Sequence, residues 1–222
     1  MKTPPLLCSC LTVLCLTSCG TLAAKPGPHH TTREVLLDKI RGGWAGQMIG
    51  VSYGAPTEFR AMGKINDAPL SWAPDRVENA IHQDDLYVEM TFARVMDTVG
   101  LDATSAQYGD AFKDSKYDLW HANAAARRML NQGIRAPESG HPKYNIHAND
   151  IDFQIEADFI GLMCPGLPRV SNQFCDRVGR VMNYGDGVYG GMFVCGYVRR
   201  RVLRDQPAQR GRGRPRLHPA PE

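Results

Sequence analysis

The sequence lacks the patterns of a β protein, of a disulfide framework and of a membrane-spanning helix. No stretch alternates polar and apolar residues in a sustained way, and no hairpin turn joins two such stretches. Of seven cysteines, the last three (Cys164, Cys175 and Cys195) show no C-x-x-C spacing, so we expect buried, unpaired thiols and no cysteine-based zinc site. The apolar run at the N terminus is too short to span a membrane stably.

Strongly basic character is also lacking outside the C-terminal end. The formal net charge is +3, but residues 196–222 contain eight Arg, one Asp and one Glu, which leaves about −3 for the rest of the chain. We therefore expect no nucleic-acid partner for the folded part. With 43% hydrophobic and 22% charged residues, the composition is typical of a globular protein, and the length predicts one domain with extensions.

The first residues, MKTPPLLCSCLTVLCLTSCG, have the layout of a secretory signal, with one Lys followed by an apolar run. The tetrapeptide LTSC ending at Cys19 resembles a bacterial lipobox, in which the Cys becomes the lipidated first residue of the mature protein. This predicts a lipoprotein signal over residues 1–19 and export to a bacterial cell envelope, at the membrane or in the periplasm. An ordinary signal cleaved near Ala23 or Ala24 is the alternative.

Helical spacing of apolar residues recurs after a Gly/Pro linker at 20–30. The predicted fold class is all-α, with one domain over residues 31–195. Its first helix should begin at a capping box of Thr31 and Glu34, and its many glycines predict the close approach of another backbone or a ligand. The predicted helices cover 35–54, 84–100, 115–133, 151–163, 171–185 and 187–196.

Two adjacent carboxylates, Asp84 and Asp85, stand at the start of the second predicted helix, in HQDDLYVEM. One interpretation is capping and a favourable interaction with the helix dipole, worth about 0.3–1 kcal/mol. The other is that the two Asp residues, with the Gln83 carbonyl, supply oxygen ligands to a hard cation such as Mg²⁺.

A second stretch, GGWAGQMIGVSYGAPTEF, favours the metal interpretation, because it has Gly at 46, 50 and 54 and then Glu58. With the Asp pair it resembles the ADP-ribosylglycohydrolase family (dinitrogenase reductase-activating glycohydrolase-like), whose members share a G-x-x-x-G-D-x-x-G-x-x-x-E segment followed by T-D-D-T. The stretches GHPKYN, HANDIDFQIEADFIGLMCPG and NYGDGVYGGMFV resemble the middle of such a domain. The resemblance covers residues 36–194.

The resemblance implies a compact orthogonal helical bundle, a binuclear Mg²⁺ site and hydrolysis of N- or O-glycosidic bonds of ADP-ribose. The expected partner is an ADP-ribosylated protein or a small ADP-ribosyl or ribosyl compound, and the membrane would be contacted through the lipid anchor only. By position, Gln83, Asp84 and Asp85 would be metal ligands, and Glu58 would be catalytic. Glycosidic cleavage passes through an oxocarbenium-like state and needs a positioned water, which two metals can hold and activate.

The chain departs from the family pattern at three positions. Val51, Gln83 and Leu86 stand where the family has Asp, Thr and Thr. These changes leave the Asp pair intact and leave the identity of the substrate open.

Further polar residues are candidates for substrate binding. For some of them, a solvated helix start or a turn is the alternative explanation. Asp152 and Glu156 share a helical face and could approach the metals, although a solvated helix start accounts for most acids of this stretch. His82, His141 and His147 show no ligand spacing and His121 lies within a predicted helix, so loop or packing roles are expected for all four. Asp186, between two glycines, is expected to be a turn residue or cap that could line the site. The substrate-binding candidates are Gly54, Asp150, Asp152, Gly185 and Asp186.

The C-terminal end lacks the family's closing D-x-D-T segment and becomes Arg-rich from Gly196. Read in the alternative frame, degenerate codons over 197–219 permit MYAAAFFETNPRSVVEAGLACIP, which resembles the continuation of the family. This predicts a frameshift near Cys195, a C-terminally truncated protein of low stability and little activity, and a disordered tail at 196–222. The alternative is a basic arm that binds anionic lipid or nucleic acid.

A non-catalytic envelope lipoprotein is the alternative to a hydrolase. It would bind nucleotide-sugars or anionic partners without cleaving them. Binding of ADP-ribose in the absence of Mg²⁺ would favour this alternative.

Overall fold

The computed structural model describes residues 31–203, and within this range it contains helices and no β-strand. The prediction of an all-α fold is confirmed. Short 3₁₀ helices span Ala55–Thr57, Pro74–His82 and Glu138–Gly140. The α-helices are α1 (Arg33–Gly54), α2 (Asp84–Val99), α3 (Ser105–Asp114), α4 (His121–Asn131), α5 (Asp152–Ile155), α6 (Asp158–Met163), α7 (Pro168–Gly179) and α8 (Gly185–Leu203). The predicted signal at 1–19, the linker at 20–30 and residues 204–222 lie outside the described residues.

Two packed regions form the core. In one, α2 packs against α3, and the ring centroid of Phe92 lies 5.9 Å from that of Tyr108 and 5.7 Å from that of Phe112, all three fully buried. In the other, α8 packs against α5, α6 and α7 around buried Phe153 and Ile160. Burial of each apolar side chain stabilises the fold by about 1.5–3 kcal/mol. The two packed regions therefore fix the helices, and the helix ends set where the connecting loops lie.

The start of α1 and the end of α2 differ in detail from the predictions. The N-cap of α1 is Thr32, whose hydroxyl accepts the Val35 N–H at 3.3 Å, so the predicted cap at Thr31 is wrong by one residue. Helix α2 begins at Asp84 and ends before Gly100, as its sequence pattern predicts. Val99, the last residue of α2, is 51% exposed, although helical spacing from Val88 and Phe92 predicts an inward position for it.

Helix α3 was not predicted, although its start carries a recognisable signal. Thr104 and Gln107 form a capping box in which the Gln107 side chain accepts the Thr104 N–H at 2.9 Å. The next helix was predicted to begin at residue 115, but α4 begins at His121. Residues 115–120 instead form an extended connection whose Tyr117 ring lies 4.3 Å from that of Tyr87.

The helices after residue 150 are also divided differently from the predictions. The predicted helix at 151–163 is two helices, α5 and α6, separated at Glu156 and Ala157. The predicted helix at 171–185 is α7, which starts earlier and ends at Gly179. Helix α8 continues past Gly196 to Leu203, and Val202 is buried, so the disorder expected from residue 196 onward is wrong for residues 196–203.

The glycines of α1 do not share the role predicted for them. Only Gly43 packs closely, against the Leu162 side chain, whereas a Cβ atom at Gly46, Gly50 or Gly54 would meet no described atom within 4 Å. Close approach is instead a property of Gly140, where a Cβ would lie 2.7 Å from two backbone carbonyl oxygens. The predicted close approach therefore applies to one position in α1.

Two further predictions concern the cysteines and the membrane. Cys164, Cys175 and Cys195 are buried and unpaired, which confirms the prediction for these three. None of the helices between residues 31 and 203 combines the length and apolar character needed to cross a bilayer.

The exposed side of α8 carries three aromatic side chains at four-residue spacing, Tyr189, Phe193 and Tyr197.

Candidate functional site

The beginning of α2 places both predicted metal-binding carboxylates in one helical turn. Gln83 is the N-cap, with extended backbone angles, and its carbonyl accepts the N–H groups of Leu86 and Tyr87 at 3.0 and 3.2 Å. The helix thus uses the Gln83 backbone carbonyl, which leaves the side-chain amide oxygen as the candidate ligand of this residue. Asp84 and Asp85 follow directly, where the helix dipole favours negative charge.

The Asp85 carboxylate lies among other negative charges. Burial and then the charge of Asp84 raise its pKa to about 6, and Glu58 adds a smaller contribution. Glu58 is exposed and follows the 3₁₀ helix Ala55–Thr57, whose last residue donates its hydroxyl to the Gly54 carbonyl at 2.8 Å. The structure therefore brings Glu58, Asp84 and Asp85 together, and Gly54 takes part through the local turn that precedes Glu58.

A further carboxylate, Glu156, belongs to the same group; the sequence indicates only that it shares a helical face with Asp152 and could approach the metals. It ends α5, is fully buried, and its Oε1 accepts the Asn123 side-chain N–H at 2.6 Å. Burial raises its pKa well above the usual value, and the charges of Asp152, Asp84 and Asp85 raise it further. The predicted solvated helix start is wrong for Glu156 and also for Asp152, which is 6% exposed.

Asp152 is fixed at the first turn of α5. Its Oδ1 accepts the backbone N–H of Asn123 at 2.9 Å, and its Oδ2 is buried with no hydrogen-bond partner. Burial raises its pKa. We call Glu58, Asp84, Asp85, Asp152 and Glu156 the acidic cluster.

The donor chemistry of the acidic cluster fits a hard cation. Like charges repel when they are buried together, and each unpartnered oxygen, Asp152 Oδ2 and Glu156 Oε2, costs free energy unless a cation or proton offsets it. Carboxylate and amide oxygens are the ligands that Mg²⁺ prefers, and Mg²⁺ is often bound through one or two carboxylates while keeping several waters. The acidic cluster does not bring three carboxylate oxygens within 4.8 Å of one another, so water would complete the coordination.

The remaining predicted site residues lie around the loop that precedes α5. Asp150 does not join the acidic cluster through its carboxylate, which contacts His121 and His147 instead. Gly185 starts α8 in the left-handed region, at φ +48°, and a Cβ there would lie 3.1 Å from Asn149 Oδ1. Asp186 is exposed in the first turn of α8, as expected of a cap or turn residue.

Two of the four histidines lie against one carboxylate. His121 and His147, expected to have loop or packing roles, meet at Asp150, with their ring centroids 5.5 Å apart. Within residues 31–203, only these three side chains bring three His, Cys, Asp or Glu ligand atoms within 4.8 Å of one another.

A cleft of about 390 Å³ lies between the end of α1 and the 3₁₀ helix Pro74–His82. This volume is within the range of small-molecule sites. None of the predicted site residues lines the cleft. One lining residue, His82, directly precedes the predicted ligand Gln83 in the chain. The lining residues are Ser52, Pro56, Asp75, Arg76, Glu78, Asn79 and His82.

A pH prediction follows from Glu89, which is buried in α2 beside the acidic cluster. Burial, then the charge of Asp158, raises its pKa to about 9. The folded state therefore keeps a proton that the unfolded chain releases near its usual pKa, so Glu89 should lower stability progressively from about pH 4.5 to pH 9. We expect Glu89→Gln to match the wild type near pH 5 and to be more stable by about 2–4 kcal/mol at pH 9.

Urea denaturation at both pH values measures this difference. Glu138→Gln, at an exposed position, is the matched control and should leave the pH dependence unchanged. An equal pH dependence in Glu89→Gln and the wild type would contradict the prediction.

The fold and the acidic cluster together define a class, an all-helical protein with a carboxylate site at a helix N terminus. Comparison with protein families assigns the chain more specifically. The family profile described as ADP-ribosylglycohydrolase matches residues 32–216. The chain belongs to this family, whose members are glycosidic hydrolases.

The matched range extends over residues 196–216, which belong to the Arg-rich end of the chain. The comparisons found no matching curated protein and no matching solved structure. The family assignment therefore rests on the profile and agrees with the helical fold.

Proposed function

We propose that the chain hydrolyses the glycosidic bond of an ADP-ribosyl or related ribosyl substrate, with Mg²⁺ held at the acidic cluster. The observation that carries this proposal is the burial of several carboxylates near the start of α2, two of which have an oxygen without a hydrogen-bond partner among the described residues. Buried like charges are costly, so they are retained where they bind a cation or do chemistry.

Four of the five carboxylates of the acidic cluster have a role in this proposal. Asp84 and Asp85, with the Gln83 side chain, would bind the cation, and Mg²⁺ there would lower the pKa of a bound water. Glu58 is exposed beside Asp85, where it can accept a proton from that water or contact the substrate. A cation bound there would favour the ionised form of Glu156, which is held by Asn123 and whose pKa is raised by burial and by the nearby carboxylates.

The cleft beside the 3₁₀ helix Pro74–His82 supports binding of a polar substrate. Arg76 and Asn79 line it, and Arg76 is anchored by donating from Nη1 to the Ser71 carbonyl at 3.2 Å. A guanidinium matches phosphate oxygens well, so the diphosphate of an ADP-ribosyl group fits this cleft. The partner in this proposal is an ADP-ribosylated protein or a small ADP-ribosyl compound.

The proposal also includes export and attachment to a bacterial envelope through a lipid on Cys19. Its support is the sequence of residues 1–19 alone. A membrane contact through this anchor is compatible with a site on the folded domain.

Release of ADP-ribose tests the proposed activity. The purified chain is incubated with one N-linked and one O-linked ADP-ribosyl peptide, with Mg²⁺ or with EDTA. We expect release with Mg²⁺, loss with EDTA and recovery when Mg²⁺ is restored. Binding of ADP-ribose without Mg²⁺ and without release from either peptide would favour the non-catalytic binding protein instead.

A further inference from the structure

Two imidazole rings converge on one carboxylate oxygen of Asp150, which lies two residues before the start of α5. Asp150 Oδ2 lies 2.8 Å from His147 Nδ1 and 3.2 Å from His121 Nδ1. The ligand atoms of the three residues all lie within 4.8 Å of one another, and the two rings are nearly perpendicular. Donors bound to one tetrahedral zinc ion, at about 2.0–2.2 Å from the metal, are themselves about 3.3–3.6 Å apart. The His121 separation is close to that spacing, and the His147 separation is shorter by about 0.5 Å, a small side-chain movement.

The backbone around these side chains is held in place by buried amides. Asn145 Nδ2 donates to the Ala122 carbonyl at 3.0 Å, and Asn145 Oδ1 accepts the His147 N–H at 3.0 Å. One buried side chain therefore ties together the segments that carry His121 and His147. Metal sites depend on such preorganisation, because supporting hydrogen bonds fix the orientation of the ligands.

His121 itself adopts an unusual backbone conformation. Its φ of +40° lies in the left-handed region, which costs about 1–3 kcal/mol for a residue with a Cβ. This conformation occurs at the first residue of α4, where it sets the direction of the side chain.

A second observation is a buried carboxyl group near His121 with one unpartnered oxygen. Asp152 is 6% exposed, its Oδ2 has no hydrogen-bond partner, and His121 is among the groups with which its carboxylate interacts electrostatically. A cation held by the two histidines and Asp150 would offset this buried charge.

We propose that His121, His147 and Asp150 form a binding site for a divalent transition metal of the zinc class. Two imidazole nitrogens and one carboxylate oxygen suit zinc and its neighbours better than Mg²⁺, which prefers oxygen ligands. This site is distinct from the acidic cluster in its ligands and in its metal preference. The His121 side chain is 62% exposed, so solvent reaches the position where a water would be the fourth ligand.

Zinc titration of the full chain, followed by calorimetry, tests the proposal. We expect one saturable equivalent of Zn²⁺, and Co²⁺ in its place should give the visible absorption of a low-symmetry site. His147→Ala and His121→Asn should each weaken binding at least ~10-fold. Asn is chosen at position 121 because it tolerates a left-handed backbone.

Two control variants distinguish this site from the neighbouring histidine and from the proposed Mg²⁺ site. His141→Ala, whose ring packs on Tyr184 away from Asp150, should bind zinc like the wild type. The double variant Asp84→Asn, Asp85→Asn should also keep zinc binding, because neither carboxylate belongs to the histidine site. No saturable binding in the wild type, or unchanged affinity in His147→Ala, would overturn the proposal and leave a hydrogen-bonded His-Asp-His cluster.

Discussion

Replacing Asp85 by Asn is expected to abolish most of the Mg²⁺-dependent hydrolysis while leaving the protein folded. Loss of a residue that only supports a metal ligand already costs 10–100-fold, so loss of a ligand itself should lower kcat/KM by at least ~100-fold. Asp84→Asn should behave in the same way. Steady-state ADP-ribose release at saturating Mg²⁺ measures both variants.

Stability should change in the opposite direction to activity. The pKa of Asp85 is raised to about 6 in the folded protein, first by burial and then by Asp84, so its ionised form destabilises the fold above that pH. An Asn cannot ionise, and at pH 8 we expect Asp85→Asn to be more stable than the wild type by about 1–2 kcal/mol, after allowing for solvent screening. A variant that lost activity by unfolding would show the reverse.

Asp97→Asn is the matched control for this experiment. Asp97 lies on the same helix, α2, but is exposed and far along it from the acidic cluster. It should keep both activity and stability near the wild-type values. Activity of Asp85→Asn within threefold of the wild type would contradict the assignment of Asp85 as a metal ligand.

The sequence predicts the start of α2 well because the signals there are local. Two carboxylates at a helix N terminus, followed by inward-facing Val88 and Phe92, need no knowledge of the rest of the fold. The capping box of Thr104 and Gln107 is an equally local signal, and it would have predicted α3. Its neighbours Tyr108 and Phe112 are also at helical spacing.

Other parts of the site depend on contacts between distant segments. The shared face of Asp152 and Glu156 can be read from their spacing, but their burial follows from packing of α5 against α8 and α4. The meeting of His121 and His147 at Asp150 requires the loop before α5 to fold back onto the start of α4. The apolar periodicity of the sequence does not predict this contact, because hydrogen bonds from buried Asn side chains hold the loop against α4.

Asn183 is the second residue for which we expect a large effect, because it holds the loop that carries Asp150. It is fully buried, and its Nδ2 donates to the carbonyls of Ala148 and Asp150 at 3.0 and 2.8 Å. Its Oδ1 accepts the Phe153 N–H at 2.9 Å, at the start of α5. One amide therefore fixes both ends of the turn between His147 and α5.

Asn183→Ala should destabilise the protein by about 3 kcal/mol or more. The Ala148 carbonyl keeps the Tyr184 N–H as a partner, at 2.8 Å, but the substitution removes the bonds to the Asp150 carbonyl and the Phe153 N–H. A buried polar group that loses its partner costs about 1–3 kcal/mol, and the vacated volume adds to this loss. The midpoint of urea denaturation measures the change.

The same loop offers a matched control in Asn149, which is exposed and should tolerate Ala within about 0.5 kcal/mol. If Asn183 acts by holding the loop, Asn183→Ala should also weaken zinc binding at His147 and Asp150 under conditions where it remains folded. Full stability in Asn183→Ala would show that the loop is held by other contacts. Loss of stability with unchanged zinc affinity would mean that Asn183 supports the fold without positioning the histidine site.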